Sequence, residues 1–257
     1  MTPGNRRAVL STGAVGAVIL AWAVATRLEW TSPLFLPPPL EILTTARELF
    51  QEGYRQVPLW QHVLVSLARA VAAFIVATAT GVPIGLLMGR SAAFHAVLDP
   101  FVQFLRPLPK LALIPLMVVW FGIGELSKFL LIYLATFLTI VVSATAAVLN
   151  VKESRIRAAQ ALGVTHYKLF RYVILPSALP ELFTGVRVGI GIGWTTLIAA
   201  EMIAASSGLG WMVVNASSYL RTDVVMLGIL LLGITGFALD LLLVSLQRAA
   251  VPWMGKD

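Results

Sequence analysis

The chain has 257 residues, of which 58% are hydrophobic and only 12% are charged. A water-facing globule of this length carries about twice that charged fraction, so a soluble domain is excluded and lipid is the solvent the composition fits. The net charge of +7 sits between apolar blocks and not in a stripe with interleaved aromatics, which favours membrane topology over nucleic acid. With no cysteine, disulfides, thiolate metal sites and a cysteine nucleophile are excluded as well.

Six stretches are long and apolar enough to span, near residues 8–26, 63–88, 97–121, 127–149, 178–204 and 223–246. They predict an all-α transmembrane fold with a single domain over 1–257. At the start, Arg6 and Arg7 precede the apolar run Ala8–Ala25. Ala23-Val24-Ala25 resembles a signal-peptide cleavage site, but a run of about eighteen apolar residues crosses the core by itself, and an uncleaved first span is the expectation.

The segment 27–61 holds three basic residues (Arg27, Arg47, Arg55) against four acidic ones (Glu29, Glu41, Glu48, Glu52). It opens with Pro33 and Pro37-Pro38-Pro39, which fix an extended entry. Leu40, Leu43, Ala46, Leu49 and Phe50 then recur at helical spacing and predict a short amphipathic helix on the membrane surface. The second span carries Gly81, Gly85 and Gly89, and the fifth Gly185, Gly189 and Gly193. Glycine at every fourth position makes a smooth face on which two backbones approach closely. In the third span, Arg106-Pro107-Leu108-Pro109-Lys110 removes backbone donors and predicts a bend.

The loop 150–176 holds five basic residues (Lys152, Arg155, Arg157, Lys168, Arg171) against Glu153 alone. By the positive-inside rule it is cytoplasmic, and six crossings put both termini, with Arg248 and Lys256, on the same side. Ser154 is the expected cap of a helix through Ile156, Ala159 and Leu162, and Gly163 its end. A second short helix carries Tyr167, Phe170 and Val173, with Pro176 as its expected stop. A helix-glycine-helix knob of this kind suits docking into a partner's groove, with the small Ala158 and Ala159 allowing close insertion.

Arg157-Ala158-Ala159, Gly163 and, after nine residues, Val173-x-Leu175-Pro176 resemble the EAA loop of ABC importer permeases. That loop has an acidic residue before two alanines and a glycine, then an Ile-x-Leu-Pro ending. Arg157 stands in place of the acid and Val173 in place of isoleucine, so a salt bridge specific to the acidic position is not carried over. Further along the chain lie Phe35-Leu36-Pro37-Pro38-Pro39, Asp99-Pro100 with Leu105-Arg106-Pro107, Trp120-Phe121-Gly122-Ile123-Gly124-Glu125, and Ala200-Glu201-Met202-Ile203 with Gly208-Leu209-Gly210. These are similar to the nitrate/sulfonate/taurine branch of those permeases, and to its taurine permeases above all.

The resemblance implies a type I ABC importer permease fold in the bacterial inner membrane. It also implies a second copy of the permease, two ATPase subunits and a periplasmic substrate-binding protein. The cargo would be taurine or a related small sulfonate, or else nitrate or another small anion. Arg157, Ala158, Ala159, Leu162, Gly163, Tyr167, Phe170 and Pro176 would couple the chain to its ATPase. ATP and Mg would belong to that partner, since the sequence lacks the Gly-rich phosphate loop with its Gly-Lys-Ser/Thr ending. No cofactor is expected in the chain itself.

Charged groups inside spans are costly and are functional candidates. Spacings of four and three put Arg187, Gly191, Trp194, Ile198 and Glu201 along one face of the fifth span. This face is a candidate lining of a translocation path, with Arg187 attracting an anionic head group and Trp194 as an apolar gate. An internal ion pair is the alternative for Arg187, and a structural role near the Ser206-Ser207-Gly208 turn for Glu201. Arg69 and Asp240 also sit in or near spans, with no partner readable from sequence. An intramembrane enzyme is disfavoured, because His62, His95 and His166 lie at span boundaries or in loops and no Gly-x-Ser-x-Gly is present. A self-sufficient secondary transporter would carry more spans and midplane carboxylates.

Overall fold

Apolar runs of 20 to 30 residues between clustered prolines and glycines have one way to satisfy their backbone in lipid, and that is the helix. The structure, a computed structural model, describes residues 3–253, and the described elements are helical throughout. In order they are α1 (Pro3–Arg27), α2 (Pro39–Gln51), α3 (Leu59–Arg90), α4 (Ala92–Leu105), a 3-10 turn (Lys110–Leu113), α5 (Ile114–Phe121), α6 (Glu125–Leu149), α7 (Glu153–Ala161), α8 (His166–Leu169), a π-turn (Phe170–Ile174), α9 (Leu175–Ala204), α10 (Leu209–Ser218) and α11 (Thr222–Ala250).

Four helices among the described residues are long and apolar enough to cross a membrane: Leu59–Arg90, Glu125–Leu149, His166–Ile203 and Thr222–Ala250. The third predicted span, 97–121, is not one helix. It is the pair Ala92–Leu105 and Lys110–Phe121, bent by 87°. Pro107 and Pro109 explain the break, since neither can donate to the preceding turn and each disfavours helix in the residue before it. Counting the pair as one span gives five where the sequence predicts six. The remaining prediction, 8–26, falls within α1, whose described apolar stretch Thr12–Arg27 is shorter than a span. Lys256, counted above among the interior charges, lies outside the described residues.

The chain divides into two compact units, Met1–Leu64 with Ser207–Leu232 and Val65–Ser206 with Gly233–Asp257. In the first, α2 forms as expected, with Pro39 in its first turn. Its buried side is Ile42, Thr45 and Leu49, however, while Leu40, Leu43 and Phe50 are exposed. The helix is apolar on two sides, one packed within its unit and the other exposed. Thr45 donates to Asp223 Oδ2 at 2.9 Å. Buried His62 stacks on Trp211 at 5.7 Å and accepts from the Gly208 amide at 3.1 Å, tying the start of α3 to α10.

In the second unit α6 is the axle. Ile132, Ala135, Ile140, Val141 and Ala144 are all buried on it, and both glycine ladders press against it. A Cβ at Gly85 of α3 would lie 2.5 Å from the Ala144 methyl and 2.6 Å from the Val141 carbonyl, and one at Gly185 of α9 would lie 2.2 Å from Ser143 Cβ. Dispersion at such close approach is what holds helices together where the hydrophobic effect no longer acts.

The expected stop at Pro176 does not occur. Residues 166–203 form one continuous helix, in which Phe170–Ile174 is a π-turn and the Leu175 amide donates to the Phe170 carbonyl. A proline in α-helical register clashes with the carbonyl four residues earlier. The wider turn just before it relieves that clash, so the helix goes on. Nor does Ser154 cap α7, which begins at Glu153 with Lys152 at the N-cap and no side-chain bond to it.

Overpacking tests the ladder. Gly85→Val is expected to lower the melting temperature of the detergent-solubilised protein by the equivalent of about 1–3 kcal/mol. Gly233→Val, where a Cβ meets nothing within 4 Å, is expected to leave it near the wild-type value. Equal melting of the two variants contradicts the packing described.

Candidate functional site

At one end of the second unit, α7 and α8 form the stub that joins α6 to α9. The C-terminus of α7 closes by a Schellman motif, with Val164 donating to the Ala159 carbonyl at 3.2 Å and Gly163 to that of Gln160 at 2.9 Å. The closure requires a left-handed residue, and Gly163 has φ +75°. The glycine expected from sequence to turn the chain does so.

The eight coupling candidates sort into two sets. Arg157, Ala158, Leu162, Gly163 and Tyr167 are exposed, Leu162 to 84% and Tyr167 to 67%. Ala159 is buried, and Phe170 and Pro176 are half-buried. Arg157 pairs with Glu153 at 2.6 Å, both side chains 73% exposed, an arrangement worth at most about 0.5 kcal/mol. On the inner side the Arg90 guanidinium lies 5.1 Å from the Phe170 ring centroid, so the end of α3 rests on the π-turn. Asn150 donates to Glu181 at 2.7 Å, which fixes the end of α6 against α9. A cavity of about 590 Å³ lies behind the stub, lined by Arg155, Ala158, Tyr172, Pro176, Ser177 and Trp253 among others. The stub therefore shows a large apolar surface outward, Leu162 and Tyr167, on a base held by three elements.

The path candidates are distributed differently. Arg187 faces Asp240 of α11 as a fork, its Nε and Nη2 on the two carboxylate oxygens, with the second contact at 2.6 Å. Gly191 is exposed and Ile198 half-buried. Trp194 is 8% exposed and covered by Gly236, where a Cβ would lie 2.9 Å from the indole nitrogen. Glu201 is wholly buried. The five thus share a helix face by register, but two of them point into the protein.

At Glu201 the structure assembles a group that sequence reasoning missed. Ser66 Oγ lies 2.8 Å from both Glu201 carboxylate oxygens and donates to them. Arg69 Nη1 donates to Glu201 Oε1 at 2.7 Å, while its Nε and Nη2 donate to the two oxygens of Glu125 at 2.6 and 2.7 Å. Lys128, one turn further along α6, reaches Glu125 Oε1 at 2.9 Å. Two cations and two carboxylates from α3, α6 and α9 cancel one another. The legible signal was the Glu125/Lys128 spacing of three, which places both on one side of α6.

A family model described as the binding-protein-dependent transport system inner membrane component matches residues 81–256. The chain belongs to this family. It is 47% identical over 255 residues to the taurine transport system permease protein of Escherichia coli (strain K12), covering 99% of this chain and 93% of that one. Identity to the putative aliphatic sulfonates transport permease protein of the same organism is 36% over 236 residues, 92% of this chain and 88% of the relative. In fold it is similar to an inward-facing MetNI methionine ABC transporter, with a TM-score of 0.63 at 22% identity over 74% of this chain and 95% of that chain. The protein is accordingly a multi-pass ABC permease and a transport component.

The ion cluster of this permease has a measurable weight. Arg69→Leu removes the cation from the buried Glu201 carboxylate and is expected to cost about 3–5 kcal/mol. It should appear as a large loss of monodisperse protein on heating followed by size exclusion. Glu125→Gln, whose side chain is 66% exposed in the wild type, is expected to cost far less. Wild-type behaviour of Arg69→Leu contradicts the assigned bonding.

Proposed function

We propose that this chain is the permease subunit of an ATP-driven importer for taurine or a closely related short sulfonate. Two copies form the translocation path, two ATPase subunits supply the energy, and a periplasmic binding protein delivers the cargo. The observation that carries the substrate assignment is the 47% identity to a taurine permease along essentially the whole chain.

The exposed stub supports the ATPase partnership. Leu162 and Tyr167 project from a Schellman-closed helix pair whose neighbours Lys152, Arg155, Arg157, Lys168 and Arg171 favour the cytoplasmic side. An apolar knob on a rigid base suits a groove in a second protein. With the stub inside, the Glu125/Glu201 end of the spans faces the periplasm, where the binding protein releases cargo.

Two measurements test the reading. Proteoliposomes holding the permease, its ATPase and its binding protein are expected to accumulate taurine only with internal ATP and Mg; no uptake contradicts it. Gly163→Val places a β-branched residue at positive φ, strained by about 1–2 kcal/mol, and opens the Schellman turn. This variant is expected to keep its spans folded while taurine uptake falls at least about tenfold. Full uptake removes the stub from the coupling role.

A further inference from the structure

In the first unit, α2 and the turn between α10 and α11 border a groove of about 580 Å³, lined by Leu34, Glu41, Glu48, Leu220, Arg221 and Asp223 among others. Its side of the membrane follows from chain order. With the stub cytoplasmic, α9 crosses once and delivers residues 206–222 to the outside. Thr45 donates to Asp223, and Thr222 Oγ1 to the Leu34 carbonyl, so α2 and the segment before it are fixed to that outer turn.

The groove carries a residue that the fold alone does not ask for. α10 ends in the same Schellman closure as the stub, with Arg221 donating to the Ala216 carbonyl at 3.0 Å and Leu220 to that of Ser217 at 3.1 Å. In the stub the left-handed position is filled by Gly163; here it is filled by Leu220, at φ +56° and 68% exposed. A bulky side chain is strained in that region, and one so exposed gains little packing within the chain in return. A strained backbone that holds an apolar side chain outward points to a contact with another molecule. Beside it, Glu41 and Glu48 share a side of α2, about 10 Å apart along its axis. Arg221 is taken by Asp223, with Nε 3.0 Å from Oδ1 and Nη2 2.8 Å from Oδ2. Glu48 attracts Arg221 at longer range, but neither Glu41 nor Glu48 makes an ion pair among the described residues. Three acidic groups against one guanidinium leave the groove negative.

We propose that this groove is a docking seat for the substrate-binding protein, which closes an apolar pocket over Leu220 and sets basic side chains against Glu41 and Glu48. An apolar anchor beside a charged rim is the usual build of such an interface. Charge decides the occupant. The same face of a second permease would bring two acidic grooves together, and an anionic lipid surface would be repelled likewise. The ATPase belongs to the other side of the membrane. This inference rests on the importer reading above, in which a periplasmic protein delivers the cargo, and adds where and by what chemistry that protein is received.

The test uses proteoliposomes that carry the permease and its ATPase, with ATP and Mg inside and increasing taurine-loaded binding protein outside. The quantity read is the binding-protein concentration at half-maximal taurine uptake. Leu220→Gly relieves the strained position and is expected to melt no lower than wild type, yet to raise that concentration at least about tenfold. The double variant Glu41→Gln, Glu48→Gln is expected to raise it at least about threefold and to flatten its dependence on salt. Wild-type half-saturation in either variant overturns the proposal, and so does a Leu220→Gly effect that comes from separating two permease copies. Should Leu220→Gly fail to assemble, the glutamine pair decides alone. Failure of the wild-type transporter to import taurine, or import that ignores the binding protein, contradicts the parent reading instead.

Discussion

Between His166 and Ile203 the backbone stays helical for 38 residues, a rod of about 57 Å. One end carries the Gly163 stub and the other places Glu201 against Arg69. Pro176 would interrupt this rod, and the π-turn at Phe170–Ile174 is the device that prevents it. The unbroken rod joins the stub to the buried carboxylate at its far end. In the proposed transporter this is how work done on one side of the membrane reaches the ions on the other.

A rod transmits force only if it is held. Two smooth glycine faces, one on α3 and one on α9, close on α6, and a Cβ at Gly85 or Gly185 would lie only 2.5 or 2.2 Å from its nearest neighbour. Interiors packed at that density respond by shifting between discrete arrangements and not by gradual deformation. The charges follow the same rule. Arg69 and Lys128 with Glu125 and Glu201, and Arg187 with Asp240, cancel within the protein.

Several of these features were legible in the sequence. The glycine ladders, the positive φ of Gly163 and the proline bend after Arg106 each follow from what one residue type can or cannot do. The helix content follows from apolar runs of span length. The parts that were hidden depend on distance along the chain. Arg69 was visible as a charge in a span, but its partners lie 56 and 132 positions away. Asp240 is likewise 53 positions from Arg187. Trp194 and Glu201 share a face with Arg187 by helical register, yet whether that face meets a path or another helix is decided by α3 and α11. Pro176 was misread because a π-turn, which single-residue propensities do not show, precedes it and leaves room for its ring.

The central claim is that the stub between α6 and α9 is cytoplasmic and seats in the ATPase. Since the chain has no cysteine, Leu162→Cys gives a single thiol at the most exposed large apolar residue of the stub. Inside-out vesicles carrying the complete transporter, treated with a short thiol-to-amine cross-linker, are expected to yield one permease–ATPase adduct through that residue. Labelling of Leu162→Cys by a membrane-impermeant maleimide from the periplasmic face, with no adduct, would contradict the account.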